Sequence, residues 1–230
     1  MPASLSAGPA PLQIRLAGQS IRLLPERCAY WEEREMLILS DLHLGKSATF
    51  RHHGLAVPEG DTADDLARLD RAIESARPLE LMIVGDLFHA ASGRSAVVVE
   101  LFAAWRQRHP ALKVQLIVGN HDRRALPPAH CDVNVVGNSL DCGSLQFVHD
   151  PADANPSQTS ICGHVHPVVA LGPGGKLRAA CFWQRPQMLV LPSFGGFTGG
   201  ATIKPTQADV CHAIADGRIH SIPAEVLLRL

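Results

Sequence analysis

Met36-Leu37-Ile38-Leu39 is an unbroken apolar run that stops on Ser40-Asp41. The figure recurs at Leu81-Met82-Ile83-Val84, stopping on Gly85-Asp86, and over residues 114–118, stopping on Gly119-Asn120-His121-Asp122. Apolar runs without polar alternation predict strands covered on both faces. The stretches between them have helical spacing. Leu66, Leu69 and Ile73 follow Asp61 and precede Pro78, predicting a helix over residues 61–76. Val98, Leu101, Phe102 and Trp105 mark one face of a second helix over residues 95–108. Strand, polar tip and helix in repetition predict parallel strands joined by crossover helices.

The two ends of the chain read differently. Residues 13–16 and 21–23 alternate polar and apolar around Gly18, predicting an antiparallel hairpin with one wet face. Structure is expected to begin near Leu12, after a small, Pro-rich, uncharged leader over residues 1–11 that reads as flexible. After Pro127-Pro128 come short strands over residues 145–149, 160–162, 177–182 and 187–191, a second sheet without intervening helices. Gly172-Pro173-Gly174-Gly175 is hairpin-sized rather than linker-sized, and no internal repeat is present, so residues 12–230 read as one α/β domain with two packed sheets. Residues 206–230 alternate like strands and end in a Leu-rich tail without a motif. Trp31, Trp105 and Trp183 are expected in the core.

Composition narrows the function. The 230 residues are 46% apolar, enough for a sizeable core. With 21 basic and 22 acidic side chains the net charge is −1, so no global field holds the protein on nucleic acid or lipid, and any such contact needs a local patch. The apolar runs are far shorter than the roughly 20 residues of a membrane span. Six cysteines form no C-x-x-C pair, and no basic segment leads into an apolar stretch at the start of the chain, which reads as reduced thiols in a cytoplasmic protein. The 12 histidines are an excess that points to chemistry.

Five polar clusters stand at or near strand ends: Asp41-Leu42-His43, Gly85-Asp86, Gly119-Asn120-His121-Asp122, His149, and Gly163-His164-Val165-His166. In an open α/β sheet such tips converge on one crevice. Carboxylate, imidazole and amide oxygen suit a divalent ion such as Mn²⁺, Fe²⁺ or Zn²⁺ and need no thiolate. Alternation at a strand end puts Asp41 with His43, and His164 with His166, on a common side. His149 follows Phe147-Val148 at a strand end, whereas His109 and His130 lie near prolines in a helix end and a loop. If these residues only capped turns, five independent coincidences would be required.

In order and local sequence, the motifs D-x-H, G-D-x-x-[DH], G-N-H-[DE], a lone H and G-H-x-H over residues 41–166 resemble the calcineurin-like metallophosphoesterase family. The resemblance implies a double-sheet β-sandwich flanked by helices, holding two divalent ions. One would be held by Asp41, His43, Asp86 and His166, the other by Asp86, Asn120, His149 and His164, with Asp86 bridging. Two such ions about 3.5–4 Å apart bind the oxygens of a phosphoryl group and bring the pKa of a shared water toward neutrality. The resemblance also implies that Asn120 stabilises the developing charge. His121 protonates or orients the leaving oxygen, with Asp122 hydrogen-bonded to it, the other reading of His121 being a structural turn residue. His89 stands where the pattern more often has aspartate and is expected to support the ligands from behind.

The segment Leu44-Gly45-Lys46, Phe50-Arg51, Gly54 and Val57-Pro58-Glu59-Gly60 is similar to the signature of a narrower branch, the ligase-associated DNA damage response endonucleases. Gly85-Asp86-Leu87-Phe88-His89 and the late Ser193-Phe194-Gly195-Gly196-Phe197-Thr198-Gly199-Gly200 fit the same branch. It implies a bacterial, manganese-dependent DNA phosphodiesterase in repair, encoded beside a DNA ligase, a helicase and an exonuclease-like protein. Lys46 and Arg51 would hold flanking phosphates just beyond the metal-bearing tip, with Arg123 and Arg124 on the same rim. The plainer reading of the Lys46 segment is a solvated loop that packs Phe50. The Gly-rich stretch is expected to serve structure rather than approach a phosphate.

Other functions share the core. A nucleotide-lipid pyrophosphatase begins with the same D-L-H-L but should carry an apolar, basic lid, which is missing here. A small-molecule phosphomonoesterase or cyclic-nucleotide phosphodiesterase fits the same ligands. A non-catalytic protein-binding scaffold of the same fold is disfavoured because every ligand position is filled. Apolar strands near the C-terminus suit either a homodimer face or the core.

Overall fold

The computed structural model describes residues 11–52, 60–90, 94–172 and 175–228, without the side chain of residue 52. The expected leader lies outside these residues except for exposed Pro11, as do the 53–59 part of the Lys46 segment and Pro173-Gly174.

Seven strands form the first sheet in chain order: β1 (Leu12–Leu16), β2 (Gln19–Leu24), β3 (Cys28–Trp31), β4 (Met36–Leu39), β5 (Glu80–Val84), β6 (Lys113–Ile117) and β7 (Asn134–Gly137). β1 to β4 are antiparallel and β4 to β7 parallel. Helices α1 (Lys46–His52) and α2 (Asp61–Ala76) cross from β4 to β5, and α3 (Ala96–Arg108) crosses from β5 to β6. The continuous apolar runs are explained by two cores. Met36 and Ile38 pack between the sheets with Phe147, Phe182 and Leu189, while Leu37 and Leu39 pack under the helices with Leu69, Phe102 and Trp105.

Helix α2 carries Asp61 and Asp64 in its first turn, favourable to the helix dipole, and ends at Arg77 in a left-handed conformation before Pro78. Ser95 caps α3 by accepting from the Val98 amide. The inward face of α3 differs from the expected one. Leu101 is exposed, and Val99 and Ala103 are buried beside Val98, Phe102 and Trp105. The helix is apolar over nearly all of its first two turns, so periodicity alone does not choose its face. The large Phe102 and Trp105 rings do.

The second sheet is built from β8 (Ser139–Cys142), β9 (Leu145–Val148), β10 (Thr159–Cys162), β11 (Pro167–Leu171), β12 (Leu177–Arg185), β13 (Met188–Val190), β14 (Ala201–Thr202), β15 (Val210–Ala215) and β16 (Arg218–Pro223). Its order is β14-β11-β12-β13-β10-β9-β8, with β15 paired to β12 and β16 to β15. A final short helix, α4, spans Ala224–Leu227. Trp31 and Trp105 are buried, whereas Trp183 is half-buried and donates from Nε1 to Asp209 at 3.1 Å. All six cysteines are free thiols. Among the described residues no helix is long and apolar enough to cross a membrane.

Strand order in the first sheet never reverses, so the expected crevice is not a switch point within one sheet. It lies where the C-terminal ends of β4, β5 and β6 meet those of β9 and β10, which run parallel to each other in the facing sheet. A bridge between Ser40 and Ser193 and another between Leu44 and Phe88 lace this edge together.

Away from that edge, His212 is buried on β15, donating from Nε2 to Gln184 Oε1 at 2.9 Å and accepting at Nδ1 from Ser221 Oγ at 2.8 Å. Burial pushes its pKa from 6.5 down to about 4. The unfolded chain takes up this proton first as pH falls, so the stability His212 contributes is full above about pH 6.5 and is lost toward pH 4. Urea unfolding across this window should give a shallower loss of stability in His212→Asn than in the wild type.

Candidate metal centre

The backbone at the crevice is not extended. Asp41, His43, Asp86, His164 and His166 all have left-handed φ, at 56°, 48°, 57°, 65° and 50°. This conformation costs an ordinary L-residue about 1–2 kcal/mol, and Asp and His are among the side chains that enter it more readily. The expected strand alternation is therefore corrected. Asp41 with His43, and His164 with His166, share a side because the chain steps through a left-handed residue at each of them. Hydrogen bonds hold the steps: the Asp41 amide donates to Gly85 O at 3.1 Å and the His43 amide to Asp86 O at 3.0 Å.

Each carboxylate is anchored by one oxygen and presents the other to the imidazoles. Asp41 Oδ2 accepts from Ser40 Oγ at 2.5 Å and the His164 amide at 3.0 Å. Asp41 Oδ1 is buried and receives no well-directed hydrogen bond, although His166 Nε2 is 3.0 Å away, His43 Nε2 3.7 Å and His149 Nε2 3.9 Å. Asp86 Oδ1 accepts from the His121 amide at 2.9 Å, while Oδ2 lies 3.4 Å from His149 Nε2 and 3.9 Å from His43 Nε2. Asn120 Oδ1 lies between His149 Nε2 at 3.2 Å and His164 Nδ1 at 3.0 Å.

The far side of two rings fixes their protonation. His149 Nδ1 is 2.8 Å from Val84 O and His166 Nδ1 is 3.2 Å from Gly199 O. A carbonyl only accepts, so Nδ1 carries the hydrogen and the neutral ring points the bare Nε2 at the carboxylates. Lone pairs facing lone pairs repel unless positive charge lies among them, and these donor types fit a divalent cation. Asp41, His43 and His166 form one set of potential ligand atoms, Asp41, Asp86 and His149 a second, and His43, His89 and His121 a third, each set lying within 4.8 Å.

Without a cation the cluster takes up protons. Burial opposes charge on His149, yet its hydrogen bond to Asp86 and the fields of Asp41 and Asp86 raise its pKa to about 9. The carboxylates of Asp41 and Asp86 stay below their ordinary range despite burial, held there by the neighbouring imidazoles. His43 is pushed down to about 2 by burial, with Lys46 adding to the effect and Asp86 opposing it.

Asp41, His43, Asp86 and His149 form a buried floor; Asn120 and His164 are exposed above it, with His166 and His121 partly so. His121 lies edge-on to His43 at 5.1 Å and stacks on His89 at 4.9 Å. His89 Nδ1 is 3.5 Å from His43 Nδ1, so His89 is closer to the ligands than a purely supporting position requires.

Asp122 departs from its expected partner. Its carboxylate accepts from the amides of Gly119 at 2.8 Å, Asp86 at 2.7 Å and Leu87 at 3.0 Å, not from His121. Facing three converging backbone donors, it clamps the loop after β6 to the loop after β5. Burial nevertheless raises its pKa to about 6.

Lys46 opens a helix rather than lying in a loop. Burial lowers its pKa, opposed by the nearby charges of Asp41 and Asp86. Arg51 is half-buried in the last turn of α1, and Arg123 and Arg124 are exposed on a 3-10 turn over Asp122–Arg124.

Several supporting residues carry no ligand chemistry and escape a search for donors. The Gly-rich stretch is structural: the Phe194 and Gly195 amides donate to Ser40 O and Asp41 O, and Gly199 O orients His166. Ser193 Oγ donates to Asp41 O at 2.9 Å. Their signal lies in the glycines that precede the ligands. A Cβ on Gly163 would overlap Ser40 Oγ and stand 2.7 Å from Asp41 Oδ2, and a Cβ on Gly85, whose φ is +84°, would overlap the His149 ring.

Residues 35–166 match the model of the calcineurin-like phosphoesterases, more than half of the chain and every residue of the cluster. The chain belongs to this family. A nuclease from Pseudomonas putida, known from its crystal structure as nuclease MPE, is 37% identical over 92% of this phosphoesterase and 100% of that chain, with a TM-score of 0.82. The E. coli phosphoesterase YfcE is 16% identical over 82% of this chain and 98% of its own, with a TM-score of 0.43. A search of curated protein sequences returns no match. Family membership and the donor set together make this phosphoesterase a metal-binding hydrolase.

Gly163→Ala tests the crowding. It should weaken binding of Mn²⁺ about tenfold or more in a calorimetric titration and destabilise the fold by about 1–3 kcal/mol in thermal unfolding.

Proposed function

We propose that the protein is a two-metal phosphodiesterase that cuts DNA. The observation that carries this reading is the full-length likeness, at 37% identity, to the Pseudomonas putida nuclease, in a chain whose ligand positions are all filled. One ion would be held by Asp41, His43, Asp86 and His166, the second by Asp86, Asn120, His149 and His164. Asp86 Oδ2 faces rings of both sets, which supports its bridging place. When bound, such ions, here Mn²⁺ by preference with Fe²⁺ or Zn²⁺ as substitutes, polarise the phosphoryl oxygens and ready a water for attack.

The residues of the chain supply the rest. His121, partly exposed at the mouth, is placed to give a proton to the departing oxygen, and the His89 ring stacked on it restricts its orientation. Asn120 would help to stabilise the charge that in-line attack spreads over the equatorial oxygens. Asp122 acts indirectly by fixing the turn that carries Asn120 and His121. Lys46 adds positive charge beside the floor, where a non-bridging phosphate oxygen would sit, and exposed Arg123 extends the rim toward a neighbouring phosphate. Exposure of Asn120 and His164 leaves room for a polymer to reach the floor. The motifs shared with the ligase-associated branch support a repair setting in the cytoplasm, beside a DNA ligase, a helicase and an exonuclease-like protein.

Plasmid DNA, a nitrophenyl phosphodiester and a nitrophenyl monoester, assayed side by side with Mn²⁺, test the reading. Nicking of DNA is expected, and hydrolysis of the monoester alone overturns it. His121→Ala should retain its metal content by elemental analysis and lose about 10²–10⁴ in turnover.

A further inference from the structure

Next to the metal centre, on the far side of His166, is a cavity of about 430 Å³ whose wall includes Arg27, His166, Arg178, Thr198 and Gly199. No acidic side chain among the described residues lines it. Two guanidinium groups from distant parts of the chain meet here. Arg178 Nη2 donates to Gly200 O at 2.9 Å, and Arg27 Nη1 makes long contacts of 3.5 Å with Ser193 O and Gly195 O. Those carbonyls occupy only part of ten N–H donors. Arg68 and Asp65 are near enough for their charges to act on Arg27, and the Asp65 carboxylate is already engaged by Arg68 at 2.7 Å and by the Gly196 amide at 2.9 Å. Positive charge is therefore left over at the cavity. Thr198 adds a buried hydroxyl oxygen that has no hydrogen-bond partner among the described residues.

Excess guanidinium, an orphaned hydroxyl and no carboxylate describe a receptor for an anion with several acceptor oxygens. We propose that this cavity receives a backbone phosphate of the polynucleotide next to the one being cut, with Arg178 and Arg27 as its ligands and Thr198 as a further donor. The proposal rests on the DNA-cutting reading and names how that site holds a polymer. His166 forms the common wall: its Nε2 faces Asp41, and its Nδ1 side borders the cavity through Gly199. A small monoester has no second phosphate to place there, so the cavity discriminates by chain length. Unlike Lys46 and Arg123, Arg27 and Arg178 lie outside the metal-ligand motifs and their neighbouring loops.

The test is binding of a short fluorescein-labelled oligodeoxynucleotide with phosphorothioate linkages to the metal-loaded protein, followed by anisotropy across a salt series. Arg178→Gln should weaken binding about tenfold and lower the slope of log affinity against log salt by about one. Arg178→Lys should restore the slope with part of the affinity, because it keeps the charge but not the fork. Thr198→Val, which removes only the hydroxyl, should weaken binding a few-fold. Wild-type affinity and slope in Arg178→Gln overturn the proposal, as does a slope in Arg178→Lys no better than in Arg178→Gln. Thermal stabilisation by inorganic phosphate without Arg178-dependent binding of the oligonucleotide also overturns it. A wild-type protein that binds the oligonucleotide through Arg178 yet cuts no plasmid overturns the nuclease reading and leaves the phosphate site standing.

Discussion

Buried acceptor lone pairs cannot be left facing one another, and the crevice depends on how this constraint is met. Asp41 and Asp86 each spend one oxygen on local donors and turn the other toward imidazole nitrogens, while Val84 O and Gly199 O hold the hydrogens of His149 and His166 on the far side of the rings. The resulting concentration of electron pairs demands positive charge. Protons meet that demand in the metal-free protein, which is why His149 holds its proton more tightly than an ordinary histidine despite burial. A divalent ion meets it better, because it satisfies several lone pairs at once.

The rest of the molecule keeps those groups from moving apart. The left-handed steps at Asp41, His43, Asp86, His164 and His166 would relax in an isolated peptide. Here they are held by ladder-like bonds between the loops after β4 and β5, by the Asp122 clamp on three amides, and by the Ser193 to Gly200 stretch running behind Asp41 and His166. Two packed cores on opposite faces of the first sheet make β4 and β5 stiff enough to bear the strain.

Much of this was legible in the sequence because it is repeated or chemically distinctive. The three apolar runs are strands, and the helix expected over residues 61–76 is α2. The donor clusters meet at one place because each follows a buried strand. Other features left weaker marks. β3, β7, β8 and β11 carry none of the five polar clusters at their C-terminal ends to mark them. Helix α1 begins at Lys46 directly after a glycine and was hidden inside a segment that reads as a loop. The positions of Leu101 and Asp122 depended on tertiary packing, one on neighbouring rings and the other on a nest of amides from another loop. Arg27 and Arg178 come together only through the pairing of the two sheets, and nothing local to either announces it.

The wide spacing of the donors along the chain has a consequence for how the protein matures. Asp41, Asp86, Asn120, His149 and His164 follow five different strands, drawn from both sheets, and no two of these strands are joined by a tight hairpin. A chain emerging from a ribosome can gather Asp41, Asp86 and His149 once β9 has docked, but His166 joins Asp41 and His43 only after β10 and the turn after it are in place. The full set of donors is thus completed only on an architecture in which strands of both sheets have already been joined by apolar burial.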